Sequence, residues 1–78
     1  MKGSTKIGID NYVKHRLPPG GFLYAVLAND LKGAFRKADY ENLRDLGEIV
    51  YYCYNNIPEV CWGSREKVQK WIENKKED

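Results

Sequence analysis

His15, Arg16, Leu17, Pro18, Pro19, Gly20, Gly21 and Phe22 run consecutively, and this stretch comes nearest to a ligand site. Free amides at a helix N-terminus attract anions, and glycines let a ligand approach the backbone closely. Lys14, His15 and Arg16 lie just upstream and bring positive charge to a phosphate or carboxylate. The alternative is that Pro-Pro-Gly-Gly is simply the turn that folds one helix back onto the next. A second cluster is aromatic: ten of the 78 residues are Phe, Trp or Tyr, too many for a small core to hide completely. Tyr40, Arg44, Gly47 and Tyr51 form a row at helical spacing, with Tyr52 and Tyr54 either side. Tyrosine and arginine dominate binding hot spots, and Gly47 leaves a notch between its neighbours. Such a flank is an interface or ligand surface, or else the cover of a core edge.

Catalytic chemistry has little to stand on. There is no nucleophile motif, phosphate-loop signature or metal-ligand spacing, so neither catalytic nor metal-binding residues are assigned. His15 is the only histidine. Glu41 and Asp45 fall on an exposed helix face, without the burial that tunes an acid or base. The expectation is a binding protein without a cofactor. Cys53 and Cys61 are a poor disulfide candidate in a cytosolic chain, and Cys53 reads as a small core residue.

The elements that must position these groups read as helices throughout. From Asp39 to Ile57, Leu43, Leu46, Val50, Cys53 and Ile57 recur at steps of three and four, giving one long helix capped by Asp39 and ended by Pro58. From Gly20 to Ala38, Leu23, Leu27, Leu31, Ala34 and Ala38 make another stripe, widened by Tyr24, Ala28 and Phe35. Gly33 and Asp30 predict a bend, or a stop and restart capped by Asp30. Asp10 is expected to cap a short helix over 11–16, with Tyr12, Val13 and Leu17 inward. Ser64 is expected to cap a last helix over 65–75, with Val68, Trp71 and Ile72 inward. Residues 1–8 and 74–78 are expected to fray. The fold class is all-α: a small helical bundle, with two principal helices as a hairpin and shorter helices at each end.

Size and charge bound the rest. A chain of 78 residues is one domain, short enough for self-association to help it. No apolar run approaches the ~20 residues that span a bilayer, so a membrane is not expected as a partner. Residues 1–38 carry seven Lys/Arg against two Asp/Glu, whereas 39–59 carry one against five. The acidic middle argues against nucleic acid despite the basic set Lys32, Arg36 and Lys37. It suits charge complementarity between copies of the chain or with a basic partner.

At PPGGFLYAVLANDLKGAFRKADYEN and again at WGSREKVQKW, the chain resembles a family of short helical proteins carried by tailed phages and prophages. The resemblance spans roughly 12–72, and its most specific pieces are Pro-Pro-Gly-x-Phe-Leu and Asn-Asp-Leu. It implies a setting, the cytoplasm of an infected bacterium, where many such proteins neutralise host defence components; it assigns no residue roles. The leading expectation is a homo-oligomeric binding protein that counters host immunity by sequestering a nucleotide signal. Its ligand would meet Tyr12, His15, Arg16, Gly20, Gly21 and Tyr40. The alternative is an inhibitor or adaptor gripping a host or phage protein through Tyr40, Arg44, Gly47, Tyr51 and Tyr52, and a third is a nucleic-acid accessory protein.

Overall fold

The computed structural model describes residues 1–74. It is all-α: α1 (Gly3–His15), α2 (Gly21–Leu27), α3 (Leu31–Lys37), α4 (Tyr40–Arg44), α5 (Leu46–Asn56), a 3-10 turn (Glu59–Cys61) and α6 (Arg65–Glu73). No strand occurs among the described residues. The expected caps form as local chemistry requires. Asp39 accepts from the amide of Asn42 at 2.8 Å, Asp30 from Gly33 at 3.0 Å and Ser64 from Lys67 at 3.1 Å. Each satisfies an amide that the first turn leaves free.

Helix lengths depart from expectation in three places. The N-terminal helix starts at Gly3 rather than near Asn11, and it is the longest of the six at 13 residues. Thr5 and Ile9 are buried in it, and Asp10 is not a cap but an interior residue. The second stretch stops at Leu27 and restarts at Leu31, because Asn29 takes a left-handed φ of 63°. Asparagine tolerates that conformation better than most side chains. The central stretch breaks at Asp45, whose amide turns back to the carbonyls of Glu41 and Leu43. The principal hairpin of two long helices is therefore a set of shorter ones, with α2 and α3 packed together and α1 and α5 the longest. Of the tail expected to fray, only Asn74 lies within the described residues.

Each break rotates the helix that follows. Beyond Asp45 the core stripe becomes Ile49, Cys53 and Ile57, all buried, while Leu43 and Val50 are left partly exposed at 38% and 41%. Beyond Asn29, Ala34 turns inward and Leu31 and Phe35 turn out. The core joins Ile9 and Tyr12 of α1, Leu23 and Leu27 of α2, Ile49 and Cys53 of α5, Cys61 and Val68. Gly63, at φ 118°, lets the chain after the 3-10 turn bring its amide to the Leu27 carbonyl at 2.7 Å. That bond ties the last helix to the second.

Candidate functional site

Tyr12 is the pivot of α1. Its side chain is fully buried, and its hydroxyl donates to the Cys61 carbonyl at 2.6 Å. Its own carbonyl accepts the Trp71 indole N–H at 2.9 Å and the Arg16 amide, also at 2.9 Å. Burial pushes the phenol well above its ordinary range. Tyr12 is thus a structural hub joining α1, the 3-10 turn and α6. It cannot act as a stacking platform for a base, which corrects the expectation drawn from its position.

Arg16 follows one turn later and ends α1 with a left-handed φ of 58°. This position ordinarily favours glycine. The guanidinium carbon lies 3.5 Å from the centre of the Trp71 ring, and Nη1 donates to the Trp71 carbonyl at 3.2 Å. Cation–π attraction and a charge-assisted hydrogen bond therefore hold the guanidinium in one orientation. It borders an open groove of about 680 Å³ that runs along α6, walled by Val60, Ser64, Lys67, Lys70, Trp71 and Asn74. That volume falls in the range of roughly 300–1,000 Å³ typical of small-molecule sites. Glu66 also borders the groove and pairs with Lys70 at 3.4 Å, while the Lys67 ammonium donates to the Glu59 carbonyl at 3.2 Å. Three cations and one carboxylate give the groove a positive balance.

The glycine corner is a different place. Gly20 and Gly21 border a shallower hollow with Lys2, Thr5, Lys37, Asp39 and Asn42. The Lys2–Asp39 ion pair stands in it, and Thr5 donates to Asn42 at 2.8 Å. Asp39 offsets the positive charge there, and Arg16 is not among its walls. His15 is exposed at the end of α1 and Tyr40 is 78% exposed on α4; neither lines the groove or the corner. The ligand set expected from sequence therefore splits: Arg16 in the groove, the glycines in the corner, Tyr12 in the core.

The tyrosine row also divides at Asp45. Tyr40 and Arg44 sit on α4, whereas Gly47, Tyr51 and Tyr52 sit on α5. Arg44 turns along the surface to bond both oxygens of Asp45, at 3.0 and 3.2 Å. Tyr52 is half-buried: its hydroxyl donates to Asp10 at 2.7 Å, and Lys6 lies 5.4 Å from its ring centre. Lys6 first, and Tyr52 second, hold the Asp10 carboxyl below its ordinary range. Tyr51 is free, 73% exposed, and Gly47 remains an open notch.

Lys67, Lys70, Trp71 and Val60 were not expected at a site. The signal was present, since Ser64, Lys67, Lys70, Trp71 and Asn74 recur at steps of three and four. The spacing of Val68, Trp71 and Ile72 points Trp71 only to the core, and the fold alone brings Arg16 across to it. Cys53 and Cys61 are buried free thiols, and burial pushes Cys53 up to about 12, so neither is poised as a nucleophile. Among the described residues no three His, Cys, Asp or Glu gather as a metal set, and no helix is long and apolar enough to cross a membrane. No protein-family model, curated protein or solved structure matches the chain.

Proposed function

We propose that this protein is a non-enzymatic binder that sequesters a nucleotide signal, working as a homo-oligomer. In the setting that the phage resemblance implies, it thereby counters host immunity in the infected bacterial cytoplasm. The observation that carries this reading is the Arg16 guanidinium, fixed on the Trp71 indole at the edge of a cationic groove. A planar fork held in place loses little freedom when it grips a phosphate. Lys67 and Lys70 add charge, and Val60, 64% exposed, offers an apolar wall for the sugar or base. The groups available attract and orient an anion rather than transform it. Isothermal titration with cyclic di- and oligonucleotides tests the reading. Saturable heat that Arg16→Gln abolishes supports it; no heat with any of them at high protein concentration removes it.

A second reading is favoured by Tyr40 on α4 and by Tyr51 and Tyr54 on α5, which are 73–78% exposed. There the protein is an inhibitor or adaptor that grips a host or phage protein. A partner captured from host lysate and lost with Tyr51→Ala, but kept with Arg16→Gln, favours this second reading over the first.

A further inference from the structure

The outer surface of α3 and the adjoining side of α5 form one largely apolar face, whose central hollow Asn29 and Asp30 also line. Leu31 and Phe35 are 72% and 62% exposed and stand up from α3, with Lys32 and Arg36 beside them. Leu31 also borders a small hollow of about 100 Å³ floored by Ala34, Leu46, Val50 and Trp62. Trp62 continues into a third concavity, where Tyr54 is 78% exposed. The order along the face is therefore a projecting phenyl ring, then a hollow of side-chain size, then a tyrosine.

A projection and a hollow on the same face are what a two-fold contact requires, because each copy then supplies both halves of the fit. Leu31, Phe35, Val50 and Tyr54 together expose on the order of 500 Å² of side chain, taking large side chains at roughly 200 Å² each. Two copies would remove about 1,000 Å², the size at which specific association begins. Lys32 and Arg36 make no ion pair among the described residues, and they fall beside the apolar ridge where a solvated rim would lie.

We infer that a second copy of this chain covers the face, in a two-fold dimer that seats Phe35 of each copy in the Val50–Trp62 hollow of the other. This names the interface of the proposed homo-oligomer and rests on that reading.

Sedimentation velocity on Phe35→Lys, Val50→Glu and their equimolar mixture tests it. Wild type should associate, and each variant alone should weaken association by at least about tenfold. The mixture should associate again, because the introduced lysine meets the introduced glutamate at one contact while the other keeps Phe35 on Val50. Circular dichroism checks the fold of both variants, and Leu31→Gln, at a still more exposed position, serves as a second disruption. Wild type that sediments as a monomer at every concentration overturns the inference. So does association that survives in the single variants, or a mixture that remains monomeric. Monomeric wild type that retains an acidic amphipathic peptide marks the face as a dock for another protein and overturns the dimer. Nucleotide binding by a monomeric wild type would leave the groove standing and remove only this interface.

Discussion

Replacing Arg16 separates its backbone role from its side-chain role. Arg16 holds a left-handed φ of 58°, stacks on Trp71 and donates to the Trp71 carbonyl. Removing the stack forfeits about 0.5–2 kcal/mol, and removing the charge-assisted hydrogen bond about 1.5–3 kcal/mol. Arg16→Ala loses both and keeps the left-handed strain. Arg16→Gly loses both but relieves about 1–2 kcal/mol of strain, against roughly 0.5–1 kcal/mol for its freer unfolded chain. Glycine should therefore be the more stable variant by about 0.5–1 kcal/mol, reversing the order expected in a helix interior. At about 4–8 °C per kcal/mol for a domain of this size, it should melt about 2–8 °C above the alanine variant. Urea and thermal unfolding followed by circular dichroism measure the difference. An alanine variant as stable as glycine refutes the argument that the backbone is strained here. Both variants should lose nucleotide binding equally, and binding retained by Arg16→Gly would show that the guanidinium is not the phosphate contact.

Tyr12→Phe removes the hydroxyl that pairs with the Cys61 carbonyl in the core and should cost about 1–3 kcal/mol in urea unfolding. It should leave nucleotide affinity unchanged, and lost affinity with intact stability would return Tyr12 to the ligand. Gly33→Ala should destabilise despite alanine's better helix propensity, because the added methyl collides with the Asp30 carboxylate that caps α3; a higher melting temperature would contradict the cap. The Asp10 and Asp39 carboxyls are held below the ordinary value of 3.8, by Lys6 and Tyr52 and by Lys2 and the Asn42 amide respectively. Their contribution to stability is complete above 3.8 and is lost as pH falls through the lowered native values. Urea midpoints should fall below about pH 4 in wild type, and less steeply in Asp10→Asn.

What could be read from sequence and what could not divide by the range of the interaction. Asp30, Asp39 and Ser64 cap helices because a carboxylate or hydroxyl three residues before an amide needs nothing beyond the local chain. Pro58 ends α5 for an equally local reason. The break at Asp45 was hidden because Leu43, Leu46, Val50, Cys53 and Ile57 make a valid stripe for a straight helix. Ile49 and Cys53 make a better one once the helix bends, and only the shape of the remaining core decides between them. The same holds for Arg16 and Trp71, 55 residues apart in the chain. The residue types that would bind an anion were visible; the pairing that orients them was not. Tyr12 illustrates the reverse error, since its carbonyl and hydroxyl serve α6 and the 3-10 turn, partners that no local pattern discloses.

The groove and the apolar face meet at Lys67, which borders both the Arg16–Trp71 groove and the concavity holding Tyr54 and Trp62. Its ammonium is anchored to the Glu59 carbonyl at 3.2 Å, and Glu59 lines the same concavity as Tyr54 and Trp62. A second copy packed on that face would restrict the Glu59 segment and, through it, Lys67. A lysine already ordered by dimerisation gives up less freedom when a phosphate arrives, so the two events should favour one another. Linkage requires reciprocity: the factor by which dimerisation tightens nucleotide binding equals the factor by which nucleotide tightens the dimer. With one flexible side chain carrying the coupling, that factor should sit near the low end of the usual range, about fivefold. Titration of wild type against monomeric Phe35→Lys measures one side, and sedimentation with and without nucleotide measures the other. Lys67→Met should bring both factors to unity: nucleotide affinity falls by the loss of one groove cation, but by the same amount in monomer and dimer, and the dimer still forms. Coupling that persists undiminished in Lys67→Met would show that the two surfaces communicate by another route.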